Sequence, residues 1–248
     1  MITNNNLIEH LTESFKVFTE TGSRSDKKLL PLHGGIAKDV MEKLRLFGYD
    51  EITISVDAKG YGSNKEAKVK GRYIDKDIDI TFNYKGEPIL CINVKSIQQN
   101  YRQNSNNYYE NMLGETVNIQ FKNGIPLFQV FIIPQQIPYF KSDKTFKSWE
   151  YFNKYSASKY IDLSQDEGYH VPCGTLVFNY KLNDMPNNPI NSDEYKAFYH
   201  DNINISMCDD LKNVGWGKNT YFNDYKGFID CVVNTITFKI GMEEYRVN

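Results

Sequence analysis

Two short apolar stretches carry the residues whose types can do chemistry. In the first, Lys76-Asp77-Ile78-Asp79-Ile80, an aspartate stands between isoleucines. In the second, Pro88-Ile89-Leu90-Cys91-Ile92-Asn93-Val94-Lys95, a lysine closes an apolar run. A charge taken out of water is costly unless it is paired or liganded, so a carboxylate and an ammonium at the same end of an apolar hairpin are expected to face a shared cleft. The chemistry open to the pair is phosphodiester hydrolysis. Asp79 can hold Mg²⁺ through hard oxygen, while Lys95 can orient or deprotonate a water and balance charge on phosphate. A structural ion pair at a strand end is the simpler alternative. One carboxylate alone would bind the ion poorly, so a second acid is expected nearby.

The elements that must position these residues follow from periodicity. Leu7, Leu11, Phe15 and Phe18 predict a helix over 7–20, and Ile36, Val40 and Leu44 a second over 36–46, after a loop over 26–35. β-branched and aromatic clusters then predict strands over 52–56, 67–74, 78–82 and 88–94, the last two joined as a hairpin through the turn Asn83-Tyr84-Lys85-Gly86. Tyr108, Met112, Thr116 and Ile119 share one face of a predicted helix over 108–121. The apolar run 126–133 reads as a strand buried on both faces. A strand, a helix and a strand at this spacing imply a right-handed crossover, hence a sheet antiparallel on one side and parallel on the other. Beyond it, 145–160 reads as helix, 174–180 as strand, 183–191 as loop and 225–240 as a closing helix or a strand.

Composition bounds the rest. A chain of 248 residues, 40% hydrophobic and 24% charged, can bury one generous core, so residues 1–248 are read as one domain. Cys91, Cys173, Cys208 and Cys231 are scattered, without a CxxC pair or zinc-ligand spacing, which argues against a disulfide frame or a structural zinc. No apolar run suits a bilayer and MITNNNLIEH lacks the order of a secretory signal, so a cytoplasmic location is expected. The net charge of −2 argues against an indiscriminate polyanion binder. Bases nevertheless outnumber acids from Lys59 to Arg102, which allows a locally basic cleft or a solvated sheet face.

With its Asp in one strand and its x-Lys in the next, the hairpin resembles the PD-(D/E)xK nuclease core. With Lys65-Glu66, Gly71-Arg72-Tyr73 and the run NNYYENMLGET from Asn106 to Thr116, residues 30–134 are similar to type II restriction endonucleases. The resemblance implies an α/β fold with a restriction-endonuclease-like core, a mixed central β-sheet flanked by helices, and an extended C-terminal region, 135–248, serving recognition or dimerisation. Asn93 departs from the pattern, since it stands where an acid is expected two residues before Lys95 and brings no charge to a metal. Some members of the superfamily take the missing acid from the following helix. Here Glu110 and Glu115 are the candidates, about 140° apart on a helix, so only one can face the ion. Glu110, nearer the helix start, is favoured, and Glu115 can be a buried structural acid. Glu66 is a further metal ligand, or an exposed strand residue.

Base-edge readers are expected among Gln98, Gln99, Asn100, Arg102 and Asn104, beside the presumed centre. His33, in Leu30-Pro31-Leu32-His33-Gly34-Gly35, lies just before a helix and can touch phosphate through the helix start, or cap a loop. The expected function is a Mg²⁺-dependent, sequence-specific endonuclease of a restriction–modification system, cutting both strands of double-stranded DNA to leave 5′-phosphates. Asp79 and Glu110 would hold the metal and Lys95 would assist the water. The resemblance also implies a homodimer on a palindromic site. Two rivals are a catalytically silent DNA-binding protein of the same fold, suggested by Asn93, and an aromatic-rich binding protein in which Asp79 and Lys95 are only a structural pair.

Overall fold

The computed structural model describes residues 2–58 and 61–247; Lys59, counted above among the bases, lies outside them. The spacing of Leu7, Leu11, Phe15 and Phe18 gives helix α1 (Asn4–Thr21), with all four side chains fully buried and a capping box between Thr3 and Asn6. A 3₁₀ turn at Asp26–Leu29 leads into α2 (Leu30–Leu46). This helix starts at Leu30 rather than Ile36, so the expected loop over 26–35 is helical for most of its length. Pro31 sits in the first turn, where its missing N–H goes unused. Gly34 and Gly35 are accepted inside the helix because neighbours approach their backbone closely.

The chain continues through β1 (Thr53–Val56), β2 (Ala67–Lys70), β3 (Asp75–Ile78), β4 (Ile80–Tyr84), β5 (Glu87–Ser96), α3 (Tyr101–Asn123) and β6 (Leu127–Pro134). The β4–β5 hairpin turns through Lys85 and Gly86, both at positive φ, which matches the right-handed twist of the flanking strands. Next come β7 (Gln136–Phe140), β8 (Phe146–Tyr151), α4 (Lys154–Gln165), β9 (Gly174–Leu182), α5 (Ser192–Tyr199), β10 (Ile205–Met207), β11 (Thr220–Phe222) and α6 (Tyr225–Val247). Residues 145–160, expected as one helix, therefore divide between β8 and α4. The closing segment is a helix throughout.

The result is an α/β protein with a mixed central sheet of seven strands. Its order is β1-β4-β5-β6-β9, with β10 and β11 sharing the outer edge of β9. Strands β1, β4 and β5 are antiparallel, whereas β5, β6 and β9 are parallel, as the crossover through α3 requires. Every residue of β6 is buried. Its even-numbered side chains, Phe128, Val130 and Ile132, join α1, α2 and α6 in the larger core, and its odd-numbered Phe131 and Ile133 join α3 and α4 in a second. The C-terminal region is built into the same sheet through β9. Among the described residues, no helix is long and apolar enough to cross a membrane.

Two features of this frame set the site. The β2–β3 hairpin forms its own two-stranded sheet, and β3 runs almost directly into β4, with only Asp79 between them. Asp79 is therefore not within a strand, as expected, but at the bend where the chain passes from one sheet to the other. The second feature is that β5, a parallel strand, ends at Lys95-Ser96, and ligands of open α/β sheets gather outside such carboxyl ends.

Candidate metal centre

Ladder geometry brings the first two acids together. β2 pairs with β3 up to Ala67↔Ile78, and one step further along that ladder Glu66 falls opposite Asp79. The orientation of Asp79 is fixed from β5. Cys91 N–H goes to Pro126 on the β6 side, so by backbone alternation Val94 N–H faces β4, where the ladder has ended at Ile80↔Ile92. The Asp79 Oδ2 carboxylate oxygen accepts that N–H at 2.6 Å. A buried donor left over at a strand end is thereby satisfied, and the carboxylate is locked at the sheet edge.

The third member comes from α2. His33 Nε2 lies 3.9 Å from Asp79 Oδ2, and His33, Glu66 and Asp79 each offer one ligand atom within 4.8 Å of the others. The His33 side chain is 3% exposed, and neither of its ring nitrogens has a hydrogen-bond partner. An orphaned buried imidazole is costly, so a ring left unpaired beside two carboxylates fits a cation site. Ligand atoms about 2.1 Å from an ion lie roughly 3–4 Å apart, so the cluster needs only slight closure to hold one. His33 was expected to touch phosphate from a loop; the structure buries it inside α2 and turns it toward the acids instead.

Electrostatics agrees with that reading. Burial lowers the His33 pKa below its ordinary 6.5, opposed by the Asp79 and Asp57 carboxylates and assisted by Lys95. The ring is thus kept neutral, the form that ligates. Burial raises the Glu66 pKa above 4.5, with Asp79, Asp57 and Asp77 adding to the shift. Lys95, half-buried at the end of β5, makes no ion pair among the described residues and acts on His33 across the site.

Glu110 and Glu115 divide differently from expectation. Glu115 receives Asn93 Nδ2 at 2.8 Å and pairs with Lys76 Nζ at 2.9 Å, so the α3 carboxylate reaches β5 at the position where the nuclease pattern has an acid. Glu110 is exposed, with Lys159 as its charged neighbour, and is not among the ligand atoms grouped around Asp79. The expected base readers also separate. Gln98 is buried, and Gln99 donates to Ser23 Oγ at 3.1 Å. Asn100 clamps the backbone of Phe140 through both N–H and C=O at 2.8 Å, and Asn104 donates to Asn100 O at 3.1 Å. These contacts are architectural. Arg102 alone of the five is exposed, in the first turn of α3.

His33 gives a direct test by titration. Its folded pKa lies below the unfolded value, so the unfolded chain takes up the proton first, and its contribution to stability is present above pH 6.5 and lost as pH falls below it. Glu66, shifted upward, acts in the opposite sense: its ionised form costs stability, which is regained as pH falls through its raised folded pKa toward 4.5. In EDTA, the urea midpoint of the parent should fall from pH 7.5 to 5.5 more steeply than that of His33→Gln. Equal slopes would show that the ring is not buried neutral.

Comparison with family models, with curated proteins and with solved structures finds no match for the chain.

Proposed function

We propose that the chain is a metal-dependent endonuclease of double-stranded DNA with a restriction-endonuclease-like core. The observation that carries the proposal is the meeting of a buried, unpartnered His33 with Glu66 and Asp79 at the end of the strand that bears Lys95. His33, Glu66 and Asp79 would hold a divalent ion. Such an ion supplies polarisation of a phosphoryl oxygen and a more acidic water.

The chain's own residues have separate tasks. The Val94 N–H fixes Asp79 so that the carboxylate pays little entropy on ligation. Lys95, free of carboxylate partners among the described residues, can meet a phosphate oxygen as the ammonium or, once it has given a proton to solvent, take one from water as the neutral amine. Asn93 and Glu115 together stand in for the acid two residues before Lys95, and Lys76 balances Glu115. The β2–β3 hairpin flanks the centre with exposed Lys65, Lys68 and Arg72, side chains suited to phosphate contacts. Sequence-specific cutting within a restriction–modification system, and a homodimer on a two-fold site, are proposed with this reading on the strength of the sequence resemblance.

The ligand set refines the expected ion. Mg²⁺ favours all-oxygen surroundings, while two carboxylates with one imidazole are also open to first-row divalent ions, among which Mn²⁺ shares the preference of Mg²⁺ for carboxylate and water. Nicking of supercoiled plasmid should therefore be supported by Mn²⁺ at least as well as by Mg²⁺ and abolished by EDTA. Cleavage that continues in EDTA would defeat the proposal. A catalytically silent DNA-binding protein is the second reading, favoured by the neutral Asn93 and the pairing of Glu115 with Lys76; salt-sensitive DNA binding without nicking under any divalent ion would select it.

A further inference from the structure

A second histidine is held by a different set of groups. His10 Nε2 lies 3.0 Å from Asp39 Oδ2, and the Tyr225 hydroxyl donates to the same oxygen at 2.7 Å. Asp39 is 4% exposed and Tyr225 fully buried. Burial and the neighbouring Asp39 keep the phenol protonated, so it remains a donor. The chain joins α1, α2 and α6 through this relay. Gly35 makes room for it, since a Cβ there would lie 2.3 Å from the His10 ring. A glycine inside a helix costs about 1 kcal/mol relative to alanine, and a buried carboxylate is a costly way to fasten helices that apolar side chains could join. The arrangement fixes one imidazole face, and His10 Nδ1 has no partner among the described residues.

That imidazole lines a cavity of about 1100 Å³, enough for a nucleotide unit. Lys27 and Lys38 bring positive charge to its wall, while Leu30, Pro31 and Tyr61 bring apolar and aromatic surface. Lys27 makes no ion pair among the described residues, whereas Lys38 lies 3.7 Å from Glu42. The cavity adjoins the metal centre. Asp57 lines it and also acts electrostatically on both His33 and Glu66, and its α2 wall includes Gly34, the residue after His33.

We propose that this cavity binds a nucleotide phosphate ester, with the His10 ring, whose Nε2–H is given to Asp39 and whose Nδ1 takes up a proton from solvent on binding so that it too donates, and the Lys27 ammonium against the phosphate, and with the apolar wall against sugar and base. Its assignment to the strand unit beside the bond that is cut rests on the nuclease reading; the binding itself does not. A phosphate met by a lysine and a fixed imidazole gives orientation, and Tyr61 can stack on a base.

The test uses the full chain with ¹³C-labelled histidine in EDTA. Thymidine 5′-monophosphate, inorganic phosphate and thymidine are titrated in turn while the His10 ring resonance is followed. The monophosphate is expected to move that resonance and to bind about tenfold more tightly than phosphate or thymidine alone. His10→Asn and the exposed-site variant Lys27→Ala should each weaken it by about tenfold. Lys27→Ala keeps the test valid should His10→Asn fail to fold. An unmoved His10 resonance, phosphate binding as tight as the nucleotide's, or equal binding by both variants and the parent would overturn the proposal. Nucleotide binding by a parent chain that never cuts DNA would sink the nuclease reading and keep the cavity; cutting without nucleotide binding would do the reverse.

Discussion

Asp79→Asn is expected to slow divalent-ion-dependent nicking of plasmid DNA by at least about 10³-fold, which corresponds to roughly 4 kcal/mol of lost transition-state stabilisation. The substitution is chosen because asparagine can still accept the Val94 N–H through its amide oxygen, so the sheet edge keeps its hydrogen bond. What disappears is the negative charge that faces His33 at 3.9 Å and Glu66. Mn²⁺ affinity, followed by the rise in melting temperature on adding the ion, should fall in parallel, because an ion that binds only the folded chain stabilises it by an amount that grows with the logarithm of ion concentration over Kd. A variant that nicks within tenfold of the parent would remove Asp79, and with it the metal reading.

Lys95→Ala is expected to cost about 10²–10⁴-fold in nicking rate, the range for loss of a positioned proton-transfer or charge-balancing group. Unlike Asp79→Asn, it should leave the ion-induced rise in melting temperature intact or enlarged, since the ammonium is a positive charge that acts across the site and repels a cation there. Lys95→Arg separates the two roles. Arginine keeps the charge but does not give up its proton, so a partly active variant would assign Lys95 to phosphate charge and an inactive one to proton transfer. Lys95→Ala with parental activity would leave the centre as a metal site without a nuclease function.

The contrast between these two residues shows what periodicity can and cannot give. Asp79 and Lys95 stood out because each interrupts an apolar run, and a charge in such a run has few cheap explanations. Glu66 lay in a basic, unpatterned stretch, and its partnership with Asp79 depends on the register of β2 against β3, which a few residues of sequence do not fix. His33 was misplaced for another reason. Pro31 and the two glycines are loop signals, yet proline is harmless in a first helical turn, and the glycines answer to Ala58 and His10, residues distant in the chain. Between Glu110 and Glu115, a single sequence offers only an angle about the helix axis. Contact with Asn93 depends on how α3 lies across the sheet.

The amino-acid sequence by itself determined the main elements: α1, the β4–β5 hairpin with its Lys85-Gly86 turn, the buried strand β6 and the parallel crossover between β5 and β6. These follow from local periodicity and turn chemistry, which act over a few residues. Only the tertiary structure decided that His33, Glu66 and Asp79 come together, that Glu115 rather than Glu110 meets β5, and that His10 leans on Asp39 and Tyr225. Each of those pairings joins residues from different elements, and the free energy that selects them lies in shared burial and in polar groups satisfied across the fold.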